Sequence, residues 1–133
     1  MPQALNSPAQ LDVRRQDWIA RVGRLVAEIA EWSKAEGWEV EHHPKTIREE
    51  LLGQYEVPAL AIRLPAGEIT VNPIALHVIG ADGRIDLEAL PTLSRVKLLG
   101  VPAGWQVMTD SNVPLRDAWN QETFVRLVHD LLR

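Results

Sequence analysis

The sequence predicts a two-layer α+β domain. A mostly antiparallel meander sheet of about five to six strands carries a long N-terminal helix and a C-terminal helix on one face. Three observations predict it. Trp18, Val22, Leu25, Ile29 and Trp32 recur at steps of 4, 3, 4 and 3, the spacing of one helical face. Residues 69–97 alternate apolar and polar side chains between turn-forming residues, as strands with one buried face do. Phe124, Leu127, Val128 and Leu131 restore the helical spacing near the end of the chain.

Residues 1–6 read as a loose tail. Ser7-Pro8-Ala9-Gln10 then gives a serine cap, a proline at the first helical position and a glutamine three residues after the cap. A start near Asp12 is the alternative. Ile19 and Val26 widen the apolar stripe. Asp17/Arg21 and Arg24/Glu28 have the i,i+4 spacing of ion pairs on the opposite face. Gly23 weakens the middle of the helix, and Gly37 supplies a left-handed residue to end it.

Residues 38–43 alternate and read as a strand that Pro44 stops. Thr46-Ile47-Arg48-Glu49 has capping-box spacing, so a short helix is expected over 47–52, ended by Gly53. Residues 58–64 form the next strand. A two-residue loop at Ala66-Gly67 pairs Leu64 with Ile69 and Ile62 with Val71, matching apolar to apolar. The apolar parity slips at Asn72-Pro73, where proline lacks the ladder donor, so a bulge or break is expected there. Gly80-Ala81-Asp82-Gly83 closes a hairpin, either as a four-residue loop or as an Asp82-Gly83 turn. Strands follow at 84–88, 95–99 and 105–108, and the last helix begins near Asn120. Nothing separates these elements into linked units, so residues 1–133 read as one domain.

Composition narrows the chemistry. Apolar residues make up 46% of the 133, enough for an ordinary core without covalent staples. There is no cysteine, which removes disulfides, thiol nucleophiles and thiolate metal sites. The net charge of -4 is evenly spread: 7 basic and 9 acidic residues in 1–50, and the same counts in 51–133. Neither half has the basic excess that phosphate-backbone binding needs, so nucleic acid is a disfavoured partner. No segment reads as a secretory leader or a membrane span, and the cytoplasm is the expected location.

One charged pair is nearly independent of register. A four-residue turn sets His77 opposite Asp86, and a two-residue turn sets it opposite Glu88. Each gives a histidine–carboxylate pair of the kind that serves general-base catalysis. Arg95 and Lys97 on the same face suit an anionic ligand. The plainer reading is a solvated row of cross-strand ion pairs. Glu41 and His43 flank one position on a strand face and offer a minimal metal site, although their spacing matches no recognised ligand set. A metal-dependent nuclease pattern fails, because Arg95-Val96-Lys97 has arginine where the second carboxylate is needed. There is no phosphate-binding glycine loop, and the sequence calls for no cofactor.

Five tryptophans stand beside one tyrosine and one phenylalanine. Trp18, Trp32, Trp38 and Trp105 have apolar neighbours at element spacing and read as core. Trp119, just before the last helix, is the candidate for an exposed binding aromatic, with a helix-entrance staple as the alternative. The leading expectation is a non-catalytic binding or interaction module. Its partner is an unidentified protein or a second copy of the chain, the latter if the long helix has apolar surface to spare. The competing expectation is a hydrolase-type enzyme, with or without a metal, using His77 with Asp86 or Glu88.

Overall fold

Ser7 opens the first helix as its spacing predicts. In the computed structural model, which describes residues 7–133, its hydroxyl accepts the Gln10 N–H at 3.2 Å, and the Gln10 side chain accepts the Ser7 N–H in return. Helix α1 (Pro8–Ala35) runs unbroken to a cap at Glu36, followed by Gly37 at φ +81°. The expected loose tail at 1–6 lies outside the described residues.

Six strands follow: β1 (Glu39–Glu49), β2 (Gly53–Leu64), β3 (Gly67–Val78), β4 (Ala81–Leu90), β5 (Arg95–Val101) and β6 (Gly104–Thr109). Each pairs antiparallel with the next, so the sheet is an open meander in chain order. Helix α2 (Gln121–Leu131) closes the chain, with the Asn120 side chain accepting the Thr123 N–H at 2.9 Å. The fold is α+β, as the patterning predicts.

Both helices pack on the apolar face. Trp18, Val22, Leu25, Val26 and Ile29 of α1 meet Leu60, Ile62, Ile69, Val71, Ile85, Leu87 and Leu98 of the sheet, with Phe124 and Val128 of α2 completing the core. A buried side chain of this size contributes about 1.5–3 kcal/mol by leaving water. Trp18, Val22, Leu25, Val26 and Ile29 of the α1 stripe are buried and Ile19 and Trp32 partly so, while Val13, off the stripe, is the one exposed large apolar residue of α1. The condition set for a homodimer, spare apolar surface along this helix, is therefore not met by the stripe itself.

The expected helix over 47–52 is instead strand and turn, with β1 running through Pro44 to Glu49. The reason lies in a pair of opposed prolines. Pro44 stands across from Pro58. Two prolines fit a non-hydrogen-bonded position, where neither strand needs the other's N–H. The missing donor of Pro44 then faces the open sheet edge. That of Pro58 faces β3, and there the β2–β3 ladder ends, at Leu60 opposite Val71. Beyond that point the β1–β2 ribbon parts from β3.

The hairpin registers also differ from expectation. The β2–β3 loop is Pro65-Ala66, pairing Leu64 with Gly67 and Ile62 with Ile69. Apolar still meets apolar, two residues along. Gly67 is confined to the strand by contact: a Cβ there would lie 2.1 Å from the Leu90 carbonyl oxygen. The register shift expected near Pro73 is present between Pro73 and Ala75. The β3–β4 turn is Ile79-Gly80, with Val78 opposite Ala81. Gly83, expected in the turn, is a strand residue beneath the Trp18 ring. Segment 113–115 lies along β6, with Pro114 bridged to Met108 and the Leu115 N–H donated to the Val107 carbonyl at 2.9 Å.

Candidate functional site

The polar face of the sheet is a closed network of charges. Across β3, β4 and β5, Asn72, Asp86 and Lys97 align in one row, and Thr70, Glu88 and Arg95 in the next. Asp86 is 1% exposed, and Arg84 grips both its oxygens, from Nε at 2.7 Å and Nη2 at 2.9 Å. That bond holds the Arg84 guanidinium even more firmly protonated than usual. Lys45 reaches from β1 into the gap between β2 and β3. Its Nζ donates to Asn72 Oδ1 at 2.5 Å and to the Pro73 carbonyl at 2.6 Å. Burial lowers the Lys45 pKa, with Asp86 and Glu88 opposing. Asn72 in turn donates to Glu88 Oε1 at 3.1 Å.

Arg95 and Lys97, expected to bind an anion, secure a loop instead. Arg95 donates to Asp110 Oδ1 from Nε at 3.0 Å and Nη2 at 2.7 Å, and Lys97 Nζ donates to Asn112 Oδ1 at 2.5 Å. The arginine bond draws the Asp110 carboxyl below its ordinary value.

His77 meets neither Asp86 nor Glu88. The Ile79-Gly80 turn and the shift at Pro73 set it opposite Asp82 and give Asp86 and Glu88 to Asn72 and Thr70. Both expected registers assumed the wrong turn; the shift expected near Pro73 lies beyond His77 and does not move it. The carboxylate beside His77 is Glu49, whose Oε1 lies 3.5 Å from Nδ1. Glu49 accepts the backbone N–H groups of Leu76 at 3.0 Å and His77 at 2.9 Å, and the Tyr55 hydroxyl. Tyr55 accepts the Trp18 indole N–H at 3.1 Å. Burial raises the Glu49 carboxyl, but these donors outweigh it and leave the pKa lowered. Burial and Glu49 push the Tyr55 hydroxyl strongly up. Both ring nitrogens of His77 are buried without a hydrogen-bond partner. Sequence reasoning missed Glu49 because it assigned the residue to a helix cap; the Ile47/Tyr55 pairing that exposes its role depends on β1 crossing Pro44.

Glu41 is bound by Arg63 at 2.8 Å, and His42 and His43 are both exposed on edge strand β1. Among the described residues no three histidines or carboxylates gather closely enough to hold a metal.

The remaining candidate is a cleft of about 540 Å3 between α1, the β5–β6 turn and the segment entering α2. Helical spacing puts Arg21, Arg24, Leu25 and Glu28 along one flank of α1. Trp105 and Trp119 line the cleft from the other elements. Arg21 lies 4.5 Å from the centre of the Trp105 ring and donates to the carbonyls of Val101 at 2.9 Å and Gly104 at 2.5 Å. Trp119 packs on Trp32 and Phe124, with ring centres 5.5 and 5.9 Å away, and its indole N–H donates to Glu28 at 3.3 Å. It therefore staples the entrance of α2 and lines a cleft at once. The expected pairs Asp17/Arg21 and Arg24/Glu28 do not form, because Arg21 turns to carbonyls and Glu28 to an indole. Arg24 is exposed and makes no ion pair among the described residues. No family model matches the chain, and comparison with curated proteins and solved structures likewise gives no match.

Proposed function

We propose that this chain is a non-catalytic binding domain and that the cleft between α1, the β5–β6 turn and Trp119 is its site. The observation that carries this reading is the pair of half-buried indoles, Trp105 and Trp119, lining one concavity whose size suits a small ligand. Both rings are held in place, Trp105 by Arg21 and Trp18 and Trp119 by Trp32 with Phe124, so little ordering cost is left for binding. The cytoplasmic location expected from the sequence belongs to the same proposal. The hydrolase reading draws no support from the sheet register, which separates His77 from Asp86 and Glu88.

Amide and indole NMR spectra recorded against a mixed fragment set test the reading. Fragments of at least one class are expected to move the Trp105 and Trp119 indole signals together with the Gly104 amide. A fragment set that moves none of these signals at millimolar concentration overturns it.

A further inference from the structure

We infer that the cleft selects planar aromatic carboxylates, with Trp105 and Trp119 receiving the ring and Arg24 the carboxylate. This deepens, and rests on, the reading of the cleft as a binding site. The two arginines on the α1 flank have different jobs. Arg21 is fully committed: it stacks on Trp105 and donates to two carbonyls of the β5–β6 turn, so it holds a wall in place. Arg24 is three residues on, along the same flank, with its donors unclaimed among the described residues. A guanidinium offers a planar fork of donors that matches a carboxylate.

Charge points the same way. Two guanidiniums and one carboxylate line the cleft, a local positive excess on a chain whose net charge is -4. The one acidic group, Glu28, is already accepting the Trp119 indole N–H. An anion entering beside Arg24 therefore meets a cation that has no competing partner. The flat indoles favour an aromatic body over an aliphatic one, through offset or edge-on ring contacts.

Other concavities lack this combination. A larger depression over α2, about 710 Å3, is lined mainly by flexible charged and amide side chains, and its Arg126 is paired with Asp117 at 2.7 Å. The apolar hollow beside Ala9 and Val13 has little polar surface to orient a ligand.

The test compares 1-naphthoate with its neutral isostere 1-naphthylmethanol, by calorimetry and by the same NMR signals. Naphthoate is expected to bind at the cleft at least tenfold more tightly. Arg24→Gln, at an exposed helical position, is expected to leave the circular dichroism spectrum unchanged and to abolish that preference. Arg24→Lys is expected to keep part of it. Equal binding of the two probes at the cleft overturns the carboxylate selectivity while the binding reading stands. Binding of neither probe at the cleft overturns the inference, and the fragment test then decides the broader reading by itself.

Discussion

Glu49 and His77, 28 residues apart, are joined by a 2.9 Å bond from the histidine's backbone N–H to the glutamate carboxylate. With the matching bond to Leu76, the side chain of one strand's last residue satisfies backbone donors of β3 that β2 no longer reaches. A buried carboxylate with such donors is a strong local tie, because each lost charged bond costs about 1.5–3 kcal/mol. Glu49→Gln replaces one acceptor oxygen by an amide group and sets a donor against a donor. Urea unfolding at pH 7 should show a loss of about 1–3 kcal/mol. The pH dependence follows from the lowered carboxyl. Its stabilisation is complete above the unfolded value, near 4.5, and fades as pH falls through the lower folded value. The variant should accordingly lose part of the parent's decline in stability in acid. Parallel curves for the two proteins below pH 5 would refute the assignment.

His77 itself is a different matter from its backbone. The ring nitrogens are buried and unpartnered, so the side chain gains no hydrogen bond for the desolvation it suffers. Removing a polar group in that position is neutral or stabilising when the shape is retained. His77→Phe is expected to leave the melting temperature at pH 8 unchanged or higher. A drop of more than about 1 kcal/mol at that pH would mean that the imidazole nitrogens are satisfied after all.

Gly83 shows how a residue read as a turn former serves packing. Its φ of +107° is one that side chains rarely adopt, and a Cβ would sit 2.2 Å from the Trp18 ring. Trp18 is 2% exposed and anchored by Tyr55, so it has nowhere to move. Overpacking and backbone strain act together in Gly83→Ala, with an expected loss of about 2–5 kcal/mol in chemical denaturation. The half-buried Gly23, where a Cβ meets nothing within 4 Å, is the control, and Gly23→Ala should stabilise α1 by about 1 kcal/mol.

The two long helices were legible because their signals are local, although the cap spacing at Thr46–Glu49, equally local, announced a helix that does not form. A serine cap with a glutamine three residues on, and apolar steps of 3 and 4, depend on nothing outside the segment. Strand identity was also legible, since alternation marks a buried face wherever the partner lies. Register was not. It turned on whether Ile79-Gly80 or Asp82-Gly83 makes the turn, whereas the extra residue at Ile74 was announced by the parity slip at Pro73. The turn is decided by non-local contacts such as Gly83 against Trp18. The Pro44/Pro58 pairing was hidden for the same reason: each proline alone argues for a strand end, and only opposite one another do they permit a ladder. The cleft shares this character. Trp119 stood out in the sequence, but Arg21, Arg24 and Trp105 join it only through the packing of α1 on the β5–β6 turn.

Asp86 and Arg84 test whether the polar face is structural. The carboxylate is almost wholly buried on a face that no helix covers, gripped at both oxygens by a neighbour two residues away on the same strand. Breaking such a pair strands a charge, whereas replacing both partners removes the problem. Arg84→Met alone strands the buried carboxylate, since Arg95, 3.7 Å away, is held at 2.7 Å by Asp110, and should cost about 3–5 kcal/mol. Asp86→Leu alone frees an Arg84 guanidinium that can turn to water, and should cost less. The double variant is expected to be more stable than Arg84→Met, giving a coupling of about 1–3 kcal/mol in a double-mutant cycle. Strict additivity would show that the two charges act separately, and the face would then hold its acid for something other than this pair.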